Sequence, residues 1–295
     1  MAAPFQFVAL GDHPYGEDSI AGARYRELIG RINERRPAFS IHVGDFKSGS
    51  MVCSDDEFVR QRAHFDLYER PVVYTPGDND WIDCHRKNNG AYDPLERLNK
   101  LRELFFHSDR SLGKEAMALE SQSVAMPVYP RFIENQRWVT EGVLFVTLHI
   151  VGSNNGFESR NLKTVTEFFE RDQANVDWVR EAFRLAAEKN LSAIVFSFQA
   201  DVFESATAWG PFPGNSGFRN AIGQNLLPLA QEFKKPVLII HGDGHVLKFD
   251  QPFSLERNPL RNVYRLQVPG ERDVRAVLMT VRPELDEPFA IELIR

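Results

Sequence analysis

The sequence predicts an α/β fold, and two observations on this chain of 295 residues indicate it. Short apolar runs of the kind that form buried strands alternate with segments whose apolar residues recur at helical spacing. Four of these runs also end in the same dipeptide, at Gly11-Asp12, Gly44-Asp45, Gly77-Asp78 and Gly242-Asp243. Open α/β sheets place their ligand sites at strand ends, so the repeated Gly-Asp also indicates where a site lies.

Local signals predict where the helices begin and end. After the first Gly-Asp, apolar residues share one helical face until Pro37, which ends that helix. A second helix is predicted from Ser54, which forms a capping box with Glu57. A third is predicted from Asp93, because Pro94 then occupies the first helical position.

The second half of the chain continues the same pattern. A hairpin and central strand are predicted over residues 137–151, followed by a long helix that ends near Asn190. The last third contains strands without intervening helices. Residues 205–217, with Trp209, are either a candidate lid or a long connection. No linker or repeat divides the sequence, so we expect one domain over residues 1–295.

Composition excludes several classes of protein. The hydrophobic fraction of 43% is that of a globular chain rather than a disordered one. The net charge of −6, without a block of basic residues, gives no indication of nucleic-acid binding. No apolar run reaches the ~18 residues that a membrane helix needs. The sequence indicates no oligomeric state.

The two cysteines, Cys53 and Cys84, each follow a Gly-Asp element and leave two interpretations open. They are either unrelated thiols or a disulfide that ties two loops together, which implies an oxidising compartment. The absence of a signal peptide favours the cytoplasm. A periplasmic or secreted location follows instead if residues 1–4 are a trimmed start and the cysteines are bonded.

The aspartates of the four dipeptides, here called the aspartate cluster (Asp12, Asp45, Asp78 and Asp243), predict a metal site. Carboxylates that converge on one edge repel each other unless a cation holds them together. His245 follows the last dipeptide and adds an imidazole ligand. Carboxylates that bridge two ions about 3.5–4 Å apart serve in-line attack on phosphorus.

The order of these motifs resembles the calcineurin-like metallophosphoesterase superfamily. Its typical motifs are Gly-Asp-x-His, Gly-Asp, Gly-Asn-His-Asp/Glu, a strand-end His and Gly-His-x-His. The matching segments, between residue 5 and about residue 281, are Gly11-Asp12-His13-Pro14, Gly44-Asp45, Gly77-Asp78-Asn79-Asp80, Phe198-Gln199 and Gly242-Asp243-Gly244-His245. The resemblance implies a four-layer α/β/β/α sandwich with two central mixed sheets. It also implies a phosphatase or phosphodiesterase that attacks a small phosphorylated substrate with a metal-bound hydroxide.

The chain departs from these motifs at five positions. Pro14 stands at the first His, Asp78 at the Asn, and Asn79 at the His that usually serves as general acid. Gln199 and Asp243 replace two metal-binding histidines. Oxygen ligands therefore outnumber imidazoles, which favours Mn, Mg or ferrous iron over Zn and is compatible with Ca.

The resemblance implies two divalent ions bridged by Asp45. The expected ligands are Asp12 and His245 for one ion, and Asp78, Asp243 and the carbonyl oxygen of Gln199 for the other. A single-ion site is the alternative, because Pro14 removes a ligand.

Five further residues are candidates for catalysis or substrate binding. His13 and His149 are the candidate proton donors, and Asn79 is the candidate for positioning the substrate. Lys47 and Arg86 are candidates for binding phosphate oxygens, unless they are solvated loop charges. Because the usual general acid is replaced, the alternative function is a metallophosphoesterase-like protein of weak or no activity that binds a metal or a phosphorylated ligand.

Overall fold

The computed structural model describes residues 3–157, 161–207 and 210–295, so that Met1, Ala2 and Trp209 of the sequence-based predictions lie outside it. The strands are β1 (Phe5–Leu10), β2 (Ser40–His42), β3 (Val72–Tyr74), β4 (Glu120–Ser121), β5 (Gln136–Thr140), β6 (Val143–Thr147), β7 (Ala193–Ser197), β8 (Val237–His241), β9 (Lys248–Asp250), β10 (Ser254–Leu255), β11 (Asn258–Pro259), β12 (Val263–Gln267), β13 (Ala276–Val281) and β14 (Phe289–Ile294). The helices are α1 (Ala23–Arg35), α2 (Asp55–Phe65), α3 (Pro94–Phe105), α4 (Gln122–Ala125), α5 (Gly152–Asn155), α6 (Leu162–Glu188) and α7 (Leu227–Phe233).

The strands form two large mixed sheets. The five-stranded sheet has the order β14-β13-β1-β2-β3, and its β1, β2 and β3 run parallel. The seven-stranded sheet has the order β4-β5-β6-β7-β8-β12-β9, with β6, β7, β8 and β12 parallel. Strands β10 and β11 form a separate small pair. The predicted α/β class and the two mixed sheets are confirmed.

Strand β1 shows how the layers arise. Its residues Phe7 and Ala9 pack into an apolar layer that also contains Phe145 of the seven-stranded sheet. The alternate residues Val8 and Leu10 point the other way and pack with apolar residues of α1, α2 and α3. The outer face of the seven-stranded sheet packs with α6 and α7. The order helix, sheet, sheet, helix confirms the four-layer sandwich.

The helix starts follow the capping signals of the sequence. Ser54 Oγ accepts a hydrogen bond of 3.2 Å from the Glu57 N–H at the start of α2. The Asp93 side chain accepts one of 2.9 Å from the Leu95 N–H at the start of α3. Asn190 lies two residues beyond α6 and has φ 50°. This left-handed conformation is common just after a helix, where the sequence placed Asn190. The apolar layer shared by both sheets favours one domain, which stays a prediction.

A disulfide joins Cys53 and Cys84, whose Cα atoms are 5.7 Å apart. It connects the loop that follows β2 with the loop that follows β3. The bonded interpretation of the two cysteines is therefore the one that the structure supports, and it is compatible with an extracellular location. Within the described residues, no helix combines the length and the apolar character needed to cross a membrane.

Removal of this disulfide is expected to destabilise the fold. The bond closes a loop with a sequence separation of 31, and the loss of such a crosslink costs about 3–4 kcal/mol through the entropy of the unfolded chain. The Cys53→Ser/Cys84→Ser double variant should show this loss in urea unfolding. Reductant should weaken the wild type and leave the variant unchanged. Two free thiols in the untreated wild type would contradict the bond.

Candidate metal centre

Three members of the aspartate cluster stand where the chain leaves a strand in a left-handed conformation. Asp12, Asp45 and Asp243 have φ values of 55°, 55° and 68°. Aspartate is one of the few residues that tolerate this region. At Asp45 the preceding Gly44 also has a positive φ, of 88°. The turn aims each carboxylate across the edge of its sheet.

The glycines have a different function, which is close approach. A Cβ atom on Gly242 would lie 2.6 Å from Asp12 Oδ2. One on Gly152 would lie 2.9 Å from Asp78 Oδ2 and 3.0 Å from Asp243 Oδ1. Side chains at these positions would displace the carboxylates, so the glycines permit the carboxylates to converge.

The four aspartates come together at one edge, where both sheets contribute. Asp45, Asp78 and Asp243 each offer an oxygen, and these atoms lie within 4.8 Å of one another. The Asp243 N–H donates to both oxygens of Asp12, at 3.1 and 3.2 Å. His245 adjoins them, with Nε2 3.8 Å from Asp12 Oδ1. The structure thus brings these five predicted metal ligands together.

Burial makes this concentration of negative charge unfavourable. Burial first, and then neighbouring aspartates, raise the pKa values of Asp12 and Asp45 well above their usual range. Burial and then Asp78 raise the pKa of Asp243 to about 7. Buried carboxyl groups with raised pKa values and converging oxygens are what a divalent cation stabilises, so the residues present fit such a cation.

Asp45 receives hydrogen bonds from three different side chains. Its Oδ2 accepts from the Tyr15 hydroxyl at 2.9 Å, Asn79 Nδ2 at 2.8 Å and Gln199 Nε2 at 3.1 Å. Its Oδ1 accepts from the Asn79 N–H at 3.1 Å. Tyr15 was not among the sequence-based candidates, since nothing in its local sequence indicates contact with the loop that follows the neighbouring strand β2.

Gln199 faces the cluster with its amide hydrogens. Its Nε2 also donates to Asp78 Oδ1 at 3.0 Å. Its Oε1 accepts the N–H of Gly152 at 2.5 Å, which fixes the orientation of the amide. The sequence suggested a carbonyl ligand here; the structure instead turns that oxygen away from Asp45 and Asp78.

Asp80 is a further buried carboxylate beneath the cluster. It accepts the N–H groups of Asp45, Phe46 and Gly77 at 2.8 to 3.0 Å and the Tyr74 hydroxyl at 2.7 Å. It therefore ties the loop after β2 to the loop after β3. It was not among the sequence-based candidates, and its place at the end of the third motif is the signal that could have identified it. Burial raises its pKa to about 6.

Ser153 supports Asp78 from a left-handed turn. Ser153, Asn154 and Asn155 have φ values of 52°, 54° and 58° in succession, and Gly156 continues the turn. The Ser153 hydroxyl donates to Asp78 Oδ2 at 2.7 Å. The sequence indicated a turn here and did not identify the serine.

The two candidate proton donors lie in different surroundings from the cluster. His13 is fully buried, its ring lies 6.2 Å from that of Tyr25, and burial lowers its pKa to about 4. His149 Nδ1 contacts Glu134 at 2.8 Å, and its ring packs against Trp81. None of the described contacts of either ring reaches the four aspartates, so their position does not support proton donation to a substrate at the cluster.

The two candidate phosphate ligands differ in exposure. Lys47 is fully buried, and its Nζ donates to the Ser48 carbonyl at 3.1 Å. Burial lowers its pKa, whereas nearby Asp80 and Asp45 oppose that change. Its position does not support contact with a substrate phosphate. Arg86 is half-exposed and pairs with Asp83 at 2.5 Å.

Two cavities flank the cluster. The Tyr15 cavity, of about 460 Å³, is lined by Tyr15, Ser48, Ser50, Arg24 and Arg272 among others. The Trp81 cavity, of about 530 Å³, is lined by Trp81, Asp83, Arg86, Ser153 and Phe157 among others. The hydrogen bonds of Tyr15 to Asp45 and of Ser153 to Asp78 connect each cavity to the carboxylates.

Comparison with known proteins yields matches among solved structures. No family model and no curated protein sequence matches the chain. A dimetal phosphatase from Danio rerio superimposes with a TM-score of 0.58 at 12% identity, covering 98% of each chain. The chain has the metallophosphoesterase fold.

Two other solved structures share this metallophosphoesterase fold. GAP50, the anchor in the inner membrane complex of Plasmodium, matches with a TM-score of 0.53 at 12% identity, over 99% of this chain and 89% of that one. A purple acid phosphatase from yellow lupin (Lupinus luteus) seeds matches with a TM-score of 0.52 at 11% identity, over 95% and 50%. The resemblance seen in the sequence is confirmed for the fold.

A methyl group at Gly152 is expected to weaken cation binding. In Gly152→Ala, the added Cβ would contact Asp78 and Asp243 at about 3 Å. Overpacking of roughly 1–3 kcal/mol corresponds to a loss of about 10-fold or more in affinity for Mn²⁺, measured by calorimetric titration.

Gly30→Ala in α1 is the matched control, because nothing among the described residues lies within 4 Å of the added Cβ. It should leave Mn²⁺ affinity unchanged and raise helix stability by roughly 0.5–1 kcal/mol. An unchanged Mn²⁺ affinity in Gly152→Ala would contradict the close approach of Asp78 and Asp243 to Gly152.

The stability of the metal-free protein should depend on pH through Asp243. Its folded pKa of about 7 exceeds its ordinary value of 3.8, so the folded state binds more protons between these values and loses stability as pH rises through them. Asp243→Asn removes this loss. In chelator, its free energy of unfolding relative to wild type should increase by roughly 2–4 kcal/mol from pH 4 to pH 7. The exposed Asp286→Asn should show no such trend. A stability difference between Asp243→Asn and wild type that does not change with pH would contradict the prediction.

Proposed function

We propose that the protein is a metal-dependent phosphoesterase that hydrolyses a small phosphomonoester or phosphodiester. The observation that carries this proposal is the convergence of Asp45, Asp78 and Asp243 within 4.8 Å at one edge of the fold. Two solved structures that share the fold are phosphatases. At 12% identity they support the fold alone, so the reaction rests on the site.

The aspartate cluster and His245 would hold the cation. When bound, a divalent cation polarises a phosphoryl oxygen and lowers the pKa of water. Four carboxylates and one imidazole favour Mn, Mg or ferrous iron over Zn. The hydrogen bonds from Tyr15, Asn79 and Ser153 fix the carboxylates before any substrate arrives, which is the pre-organisation that such a site requires.

Arg86 is our candidate for binding the phosphate. A Cβ on Gly49 would lie 2.6 Å from Asn79 Oδ1 and 3.4 Å from Arg86 Nη1, so Arg86 stands beside the cluster across Gly49. Its guanidinium is half-exposed and pairs with a single carboxylate, that of Asp83. A phosphate can therefore compete for the free edge of the guanidinium.

The proton donor to the leaving group is not assigned to His13 or His149, which remain sequence-based predictions. Tyr15 lines a cavity and contacts Asp45, and burial followed by Asp45 raises its pKa well above the ordinary value. It therefore stays protonated at neutral pH and acts as a hydrogen-bond donor. Asn79 has the same capacity and would orient a phosphoryl oxygen.

A non-catalytic protein of the same fold is the second candidate. Asp45 accepts four hydrogen bonds from the protein itself, as a carboxylate with a structural function does. One solved structure with this fold, GAP50, is described as an anchor. Such a protein would bind a metal or a phosphorylated ligand without turnover.

Metal reconstitution tests the two candidates. Protein stripped with chelator and reloaded with Mn²⁺, Mg²⁺, Fe²⁺ or Zn²⁺ should hydrolyse aryl phosphomonoesters or diesters with at least one metal. Asp45→Asn should lower kcat by about 100-fold or more, because it removes a carboxylate from the charged centre. Asp286→Asn, an equivalent change at an exposed aspartate, should retain the full rate.

The same assay separates the alternatives. Turnover at the level of Asp45→Asn with every metal would exclude hydrolysis of these substrates and favour the binding protein. Phosphate binding by the unreactive protein, measured by calorimetry, would then identify the ligand class.

A further inference from the structure

We infer that this centre binds one divalent cation per chain rather than two, because the protein's own hydrogen-bond donors occupy the side of Asp45 that a bridging arrangement needs. The inference rests on the proposed metal site and concerns its stoichiometry. It distinguishes the metal centre of this chain from a dimetal centre, although a dimetal phosphatase shares the fold.

The hydrogen bonds of Asp45 fill one of its two oxygens. An ionised carboxylate has two oxygens with about four lone-pair positions, about two on each oxygen. Three donors, from Tyr15, Asn79 and Gln199, converge on Oδ2 at 2.8 to 3.1 Å, and the Asn79 N–H takes one position on Oδ1. A carboxylate that bridges two cations must keep lone pairs free for both. Oδ1 of Asp45 keeps a position for one cation, whereas the protein's own donors already occupy Oδ2.

Gln199 places the positive end of its amide against one oxygen each of Asp45 and Asp78. Its Nε2 lies 3.1 Å from Asp45 Oδ2 and 3.0 Å from Asp78 Oδ1, so the amide hydrogens already contact both of these oxygens. The amide cannot rotate to offer its oxygen without losing the hydrogen bond from the Gly152 N–H. A second cation would have to displace these donors.

The remaining free oxygens identify where the single ion binds. Asp243 Oδ2 accepts the Asp201 N–H, whereas its Oδ1 faces Asp78 across Gly152. Asp12 accepts one shared N–H, that of Asp243, and His245 stands 3.8 Å away. Asp12, Asp78 and Asp243 thus keep lone pairs for a cation, and His245 is positioned to join them.

Metal content with Mn²⁺ alone tests the inference without any activity measurement. Stripped wild-type protein, titrated with Mn²⁺ and desalted, should retain one manganese per chain by elemental analysis and show one site by calorimetry. Its electron paramagnetic resonance spectrum should be the six-line pattern of an isolated ion. Two manganese per chain with an exchange-coupled spectrum would overturn the inference, and so would a protein that binds none.

A variant that removes the donors should open the second position. Gln199→His combined with Tyr15→Phe removes two donors from Asp45 Oδ2 and adds an imidazole ligand, so the retained manganese should rise from one to two per chain. Gln224→His, at an exposed position, adds the same side chain elsewhere and should stay at one. A ratio of one in the double variant, with its circular dichroism unchanged, would overturn the assignment of the donors as the cause.

The outcomes for stoichiometry and for function are distinguishable. One manganese per chain without turnover on any phosphoester would remove the proposed function and keep this inference. Two manganese per chain with turnover would keep the function and remove the inference.

Discussion

The repulsion among carboxylates buried at one sheet edge is the constraint on which the site depends. Burial raises the pKa of four aspartates in this region, those at positions 12, 45, 80 and 243. Each carboxylate in such surroundings needs hydrogen-bond donors or positive charge to remain ionised. The loops after β1, β2, β3 and β8 are therefore arranged around donors to these side chains, and the local backbone follows from that requirement.

The donors come from segments far apart in the chain, which joins the two sheets chemically as well as through their apolar layer. Asp45 belongs to the five-stranded sheet and receives Gln199 from the end of β7 in the seven-stranded sheet. Asp12 receives the N–H of Asp243 across the same boundary. The apolar layer sets the distance between the sheets, and these polar contacts define their relative position at the edge. The geometry of the site and the stability of the fold therefore share the same few residues.

Local signals in the sequence predicted the fold well, because each element depends on neighbouring residues. A few neighbouring residues are enough to predict the helix caps at Ser54 and Asp93 and the aspartates at the strand ends. The resemblance to the superfamily predicted the four layers. The orientation of Gln199 was not predictable, because it depends on the N–H of Gly152, 47 residues away. The surroundings of Asp80 were likewise not predictable, because its four donors come from the loop after β2, from β3 and from the loop after β3.

The disulfide connects the oxidation state of the chain to the geometry of the centre. The Sγ atoms of Cys53 and Cys84 lie 4.0 and 3.9 Å from the carbonyl oxygen of Asn79. Asn79 provides two of the four hydrogen bonds to Asp45, one from its backbone and one from its side chain. The crosslink thus braces the peptide that donates to Asp45. Because those two bonds help to orient the Asp45 carboxylate, the disulfide supports the geometry of the site as well as the stability of the fold.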